Sequence, residues 1–234
     1  MKYILNLTNE QNDRLLNFAH IVSHNLRSHA SNFSMILNAL EVEEEESIKE
    51  DMTNMLRKAS NNLNETVQNL NDVVLINTQI GVAMEPILVK DCIGKAIENL
   101  NSQIKYEDAT IINEIDPNLK VYGVKAYLDS VFLNLISNSI KYRSKERKPI
   151  LKISSEIQEN RVQLYFEDNG LGIDTERYKD KLFGMYKTFH GNENARGIGL
   201  FITKNQILAM KGQIDVESKI NVGTKFIISL DYAN

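Results

Sequence analysis

The stretch Asn134-Leu-Ile-Ser-Asn-Ser-Ile-Lys-Tyr142 (NLISNSIKY) decides how this chain is read. It sits in a helix expected over 125–143, whose packing face is Leu128, Val131, Phe132 and Leu135. Asn134 and Asn138 stand four residues apart, so their amides share one face of that helix. Asparagine is a poor helix former, and two of them one turn apart ask for a reason. Amide oxygens are hard ligands of the kind Mg²⁺ accepts, with phosphate oxygens and water completing the octahedron. Lys141 lies one turn beyond, placed to neutralise phosphate.

Two later segments suit the same chemistry. Asp168-Asn169-Gly170-Leu171-Gly172 closes a strand expected over 161–167. A carboxylate at a strand end can accept a hydrogen bond from the amino group of adenine. Guanine carries a carbonyl there, so such a site selects ATP over GTP by leaving a polar group unpaired with the wrong base. Gly170 and Gly172 let the backbone approach a ring closely, although Asp-Asn-Gly is equally suited to a type I turn. Arg196-Gly197-Ile198-Gly199-Leu200 opens a helix expected over 197–211, where free amides can bind phosphate. Alone, a GxG before a helix is a weak signal. The GxxxxGK[ST] phosphate loop and the HRD-like and DFG-like segments of Ser/Thr kinases are all absent from the chain. The polar stretch 169–196 is too long for a plain connection in a compact domain and reads as a functional loop such as a lid.

The first third of the chain has another character. Residues 9–78 contain no Gly and no Pro, and two helical stretches are broken by the acidic run Glu41–Glu46. Leu15, Val22 and Ile36 form one seven-residue series, interrupted at His29, and Ala19, Leu26, Phe33 and Leu40 form another. Met52, Ala59, Thr66 and Val73 run beside Leu56, Leu63 and Leu70 in the second stretch. Seven-residue spacing marks the seam of a helical bundle. A hairpin of two such helices has little core of its own, and pairing two hairpins into a four-helix bundle buries both seams. A homodimer through residues 9–78 is therefore expected.

From about residue 82 β-rich and helical segments alternate. Strands are expected near 87–89, 111–115, 120–122, 150–156, 161–167, 213–217 and 224–230, and a further helix over 91–104. The fold class is multi-domain: a helical hairpin over 1–80, then an α+β sandwich over 81–234, with a mixed sheet carrying helices on one face. Net charge is −4, which gives no reason to expect nucleic-acid binding. No apolar run approaches the roughly 20 residues of a membrane span, and the N-terminus lacks a signal-peptide pattern. The single cysteine, Cys92, cannot form an internal disulfide and reads as a buried helix residue, so a cytoplasmic location is expected.

Of the four histidines, His29 falls in the apolar seam, while His24 falls on the opposite, solvated face. His20 and His24 share a face at zinc-binding spacing, but no nearby Glu, Asp or Cys supplies a third ligand. A neutral imidazole has a lone pair near pH 7 and can attack phosphorus. Beside a nucleotide pocket, that turns His24 from a surface residue into a candidate nucleophile.

Taken together, Ser23-His24-Asn25-Leu26-Arg27, NLISNSIKY, the Asp168–Gly172 segment and Arg196–Leu200 closely resemble the boxes of a bacterial two-component sensor histidine kinase. The likeness spans roughly residues 12 to 232, and Leu182-Phe183-Gly184-Met185-Tyr186-Lys187 resembles the phenylalanine box beside the lid. The resemblance implies an ATP-binding domain of the gyrase and histidine-kinase type. It implies His24 as the phosphoacceptor, with Asn25 and Arg27 as its neighbours in the catalytic box. It implies Asn138, with Asn134, as the Mg²⁺ site and Asp168 as the adenine acceptor. Lys141, Tyr142, Gly170, Gly172, Ile173, Lys187, Arg196, Gly197, Gly199 and Leu200 would line the nucleotide. It further implies a response-regulator receiver domain as partner and a sensor supplied from elsewhere. The ATP-hydrolysing relatives carry Glu where Asn134 stands, and an amide cannot activate water, which fits transfer to His24 over hydrolysis. The chain departs from the family pattern at Asn25, commonly an acid, at Ser28, at His29, often Pro, and at Ala195, often Gly. Asn25 leaves open a second reading, a dimeric nucleotide-binding scaffold with weak or lost autokinase activity.

Overall fold

A computed structural model describes residues 26–78, 83–175, 182–183 and 199–233. The chain divides into two compact units, the first ending at Asp72 and the second beginning at Val73.

Helix α1 occupies residues 26–42 and helix α2 runs Glu46–Thr78, all but its last six residues within the first unit. The three-residue link includes Glu43, whose carboxylate accepts from the backbone N–H of Glu44 and Glu45, and Glu45 O accepts from the amides of Ile48 and Lys49 to start α2. Phe33, Ile36 and Leu40 on α1, and Met52, Leu56, Ala59 and Leu63 on α2, are the more sheltered positions, as the seven-residue pattern requires. His29 lies on the same half-sheltered side of α1.

The second unit is an α+β layer. After α2 come β1 (Glu85–Leu88), α3 (Val89–Asn99), α4 (Asn101–Tyr106), β2 (Thr110–Asn113), β3 (Lys120–Gly123) and α5 (Lys125–Lys141). Then follow β4 (Ile150–Gln158), β5 (Arg161–Asp168), α6 (Gly199–Ala209), β6 (Gln213–Lys219) and β7 (Gly223–Ala233). The sheet order is β1-β3-β7-β5-β4-β2, with β6 also pairing β7. The β2–β4 pair is parallel and every other pair antiparallel, so the sheet is mixed.

Alternation along the strands explains the core. Val162, Leu164 and Phe166 of β5, and Phe226, Ile228 and Leu230 of β7, point to one face and are buried. Leu128, Val131, Phe132, Leu135 and Ile136 of α5 pack into the same cluster, with Phe132 and Phe166 ring centroids 5.4 Å apart. Cys92 of α3 is fully buried, and burial pushes its thiol up to about 12, so it stays protonated and unreactive near neutral pH.

The expected single helix over 91–104 is two. It begins at Val89, whose N–H donates to Leu119 O, and breaks at Leu100. Leu100 leaves helical geometry (φ −99°, ψ 5°) and is buried, while Ile104 N–H returns to Leu100 O to start α4. Helix α5 ends at Lys141, two residues short of the expected 143, with Tyr142 as its C-cap. The expected helix over 197–211 is described from Gly199 to Ala209.

Candidate nucleotide site

Helix α5 presents its polar edge to α6. Asn134 Nδ2 donates to Thr203 Oγ1 at 2.8 Å, and Asn138 Nδ2 donates to Asn134 Oδ1 at 3.4 Å. The seam continues with Gln206 Nε2 donating to Ser130 Oγ at 3.1 Å. Both ends of the Asn134 amide are thus engaged, while Asn138 uses only its amino end in these bonds. Of the two candidate cation ligands, Asn138 keeps its oxygen available and Asn134 orients it. Gly199 opens α6 directly against this pair: a Cβ there would lie 2.5 Å from Asn134 Oδ1. Leu200 follows and packs partly buried against the core.

The turn after β5 closes on the far end of the same helix. Leu171 N–H donates to Tyr142 O, the C-cap carbonyl of α5, at 2.9 Å. Gly170 lets this happen, since a Cβ there would meet Tyr142 O at 2.6 Å. Lys141 is exposed, and its ammonium lies over the Tyr142 ring at 5.6 Å from the centroid. Tyr142 is half-buried, which raises the pKa of its phenol. Ile173, buried, joins the apolar core below the turn, and its N–H donates to Ser218 Oγ.

Asp168 stands at the last position of β5, opposite Thr224 of β7. Its Oδ1 accepts from the backbone N–H of Gly170 at 2.8 Å and of Thr224 at 3.2 Å. Both bonds fall on one oxygen, which holds the carboxylate plane and leaves Oδ2 for a ligand. Burial raises the Asp168 pKa to about 6, against the lowering effect of the two amides and of Arg147. The group is therefore ionised at neutral pH and gains a proton under mild acid.

Sequence reasoning missed two supports of this turn. Arg147, from the loop between α5 and β4, donates Nε to Asn169 O and one terminal nitrogen to Gly170 O at 2.6 Å and Val222 O at 3.3 Å. Asn169 is the second: its Oδ1 accepts from Ile150 N–H and its Nδ2 donates to Lys148 O, each at 2.9 Å. Arg147 lies in the charged run Lys145-Glu146-Arg147-Lys148, which has no periodicity to single it out.

Leu182 is buried in the core, and the half-buried Phe183 lies under the Lys204 ammonium, 5.1 Å from its ring centroid. That places the start of the phenylalanine-box segment beside α6. His24 and Asn25 lie outside the described residues, as do Lys187, Arg196, Gly197 and the expected lid-like loop over 169–196 apart from residues 169–175, Leu182 and Phe183. Arg27 is exposed on α1. Among the described residues no group of three or more His, Cys, Asp or Glu side chains could hold a metal, so a cation here would depend on amide and phosphate oxygens. Among the same residues no helix is long and apolar enough to cross a membrane.

Residues 123–234 match the family of histidine kinase-, DNA gyrase B- and HSP90-like ATPases. Over 224 residues the chain is 29% identical to cyanobacterial phytochrome A of Nostoc sp., covering 94% of this chain but only 29% of the length of that relative. Its fold matches the Acinetobacter baumannii histidine kinase AdeS with a TM-score of 0.72 at 24% identity, over 90% of this chain and 98% of that one. It also matches histidine kinase ThkA, solved in complex with the response regulator protein TrrA, with a TM-score of 0.73 at 18% identity, over 96% of this chain and 64% of that one. Asp168 at the strand end, the paired amides of α5 and the glycine start of α6 all lie within the matched segment, and residues 123–234 form an ATPase domain of the histidine kinase, DNA gyrase B and HSP90 type.

Proposed function

We propose that the chain is an ATP:protein-histidine phosphotransferase acting as a homodimer. What supports this most is the convergence on α5: the Asp168 turn reaches its C-cap carbonyl, and Gly199 of α6 abuts Asn134. Adenine is held by Asp168 Oδ2, which accepts from the exocyclic amino group. Lys141 lies one turn beyond Asn138 and neutralises phosphate. Asn138 Oδ1, oriented by Asn134, is the protein ligand for Mg²⁺; bound there, the cation neutralises charge on the phosphate oxygens.

A nitrogen of neutral His24 attacks the γ-phosphorus in line. The N–P bond forms as the bond between Pγ and the β,γ-bridging oxygen breaks, and ADP leaves with that electron pair. The phosphoryl group then passes to an aspartate of a response-regulator receiver domain. ThkA, in its complex with TrrA, is a relative in fold that engages such a partner. The domain assignment follows: residues 1–80 dimerise and carry the phosphoacceptor, and 81–234 bind ATP, in the cytoplasm where ATP is found.

The experiment is label uptake from γ-labelled ATP. The wild type gains an acid-labile, base-stable label, His24→Ala loses it, and His29→Ala keeps it. Normal acid-labile labelling of His24→Ala sinks the assignment. The second reading, a nucleotide-binding scaffold, is favoured by Asn25, because a lost general base is typically worth about 10²–10⁴-fold in rate. ATP binding without any phosphoprotein would establish it.

A further inference from the structure

Arg147 belongs to no element of the nucleotide site, yet its guanidinium reaches two segments that frame Asp168. It donates to Asn169 O and Gly170 O in the turn after β5, and to Val222 O in the β6–β7 hairpin. The same hairpin supplies the Thr224 N–H that holds Asp168 Oδ1. Gly223 brings the hairpin against the turn, since a Cβ there would lie 1.9 Å from Asp168 O. Asn169 ties the turn back to the strand that follows Arg147, through Lys148 O and Ile150 N–H. Three separate chain segments thus meet around one carboxylate, and Arg147 is the side chain that bridges all three. A planar guanidinium offers five donors in a fixed fork, which suits three converging carbonyls; an ammonium cannot reproduce that spread.

We infer that Arg147 is a positioning residue of the base pocket: it clamps the turn and the hairpin that hold the Asp168 carboxylate in place for adenine. This rests on Asp168 being the adenine acceptor. The charged groups facing Asp168 are Arg147, from the α5–β4 loop, and Glu167, its neighbour on β5. Arg147 lowers the Asp168 pKa, and Glu167 together with burial raises it. The hairpin contributes the Thr224 amide. Removing the guanidinium removes the lowering charge and lets the turn relax away from the hairpin.

The test compares wild type, Arg147→Met, Arg147→Lys and Asp168→Asn in two measurements. One is ADP affinity by calorimetry at pH 8, and the other is the titration midpoint of the Asp168 carboxyl by ¹³C NMR. Arg147→Met is expected to weaken ADP binding by about tenfold or more, the effect of one or two charge-assisted hydrogen bonds. It also moves the Asp168 midpoint upward. Arg147→Lys keeps the midpoint near the wild-type value but recovers only part of the affinity. A purely structural arginine would lower thermal stability without moving that midpoint. If Arg147→Met folds and binds ADP within twofold of wild type with an unmoved midpoint, the inference is overturned. Should Arg147→Met fail to fold, wild-type affinity in Arg147→Lys overturns it, and partial loss supports it. ADP binding by Asp168→Asn as tight as wild type instead overturns the underlying assignment of Asp168.

Discussion

Asp168 ties the chemistry of the base to pH. Its carboxyl is raised to about 6 because burial disfavours the charge more than the Gly170 and Thr224 amides and Arg147 favour it. In the unfolded chain it returns to the ordinary aspartate value near 3.8. Between those two values the folded state binds more protons, so this group makes the fold less stable as pH rises through the window. Adenine binding at Asp168, as proposed, has the opposite sign: the carboxylate is the stronger acceptor for the amino group, so affinity falls as pH drops below about 6. The expected slope is on the order of tenfold per pH unit. The ¹³C midpoint of Asp168 is expected near 6 in the free protein and lower with ADP bound; an ordinary midpoint near 4 in the free protein contradicts the burial argument. Thr203 gives a second prediction at this scale. Its hydroxyl fixes the Asn134 amide, so Thr203→Val frees that amide to turn and leaves Asn138 unoriented. Losing one hydrogen bond of about 1 kcal/mol raises the Mg²⁺ concentration for half-maximal ATP binding about fivefold. Thr203→Ser restores it, and Mg²⁺-free nucleotide binding stays unchanged in both variants.

The strands and long helices were legible in sequence because their patterns are local. Val162, Leu164 and Phe166 alternate with polar neighbours, and Leu128, Val131, Phe132 and Leu135 repeat at helical spacing, so burial follows from period. The break at Leu100 was not legible. Helical spacing runs on through 91–104, and only the three-dimensional core pulls Leu100 inward. Asp168, Asn134 and Asn138 were legible because a carboxylate after a strand and two amides in a helix are chemically odd. Arg147 and Thr203 were not, since their partners lie 22 and 69 residues away. The β6–β7 hairpin belongs at this scale too. Gly223 adopts φ +149°, where a Cβ would lie 1.9 Å from Asp168 O, and Gly172 adopts φ +68°, where a Cβ would lie 1.9 Å from Lys219 O. Neither place has room for a side chain. Gly223→Ala must push β7 off the turn, and the expected loss is roughly 2–4 kcal/mol from backbone strain and overpacking. Urea unfolding with an unchanged m-value measures it. A loss below about 0.5 kcal/mol would show that the hairpin yields freely.

At the scale of the whole molecule, the described residues of the two units differ in how completely they are buried. The second closes a continuous core between its sheet and the helices α3, α5 and α6. In the first, Ile36 is the one buried side chain among those described, while Met35, Leu37, Val42, Met55 and Val67 stand exposed. The described part of this hairpin offers little interior to offset the conformational entropy of ordering its residues. In the proposed homodimer a second copy covers the seam and adds burial, as in a four-helix bundle. On the proposed homodimer, dimerisation is part of the folding of this unit and not of the other. Two thermal transitions are expected for the full chain. The one assigned to the hairpin moves upward with protein concentration, because its proposed folded state is a dimer, while the ATP-binding unit melts at a concentration-independent temperature. ADP raises the second transition and leaves the first in place. Light scattering coupled to gel filtration gives twice the chain mass at micromolar concentration. A monomer there, with a hairpin transition indifferent to concentration, would mean that the exposed seam is covered some other way and that the helices of the first unit do not pair between copies.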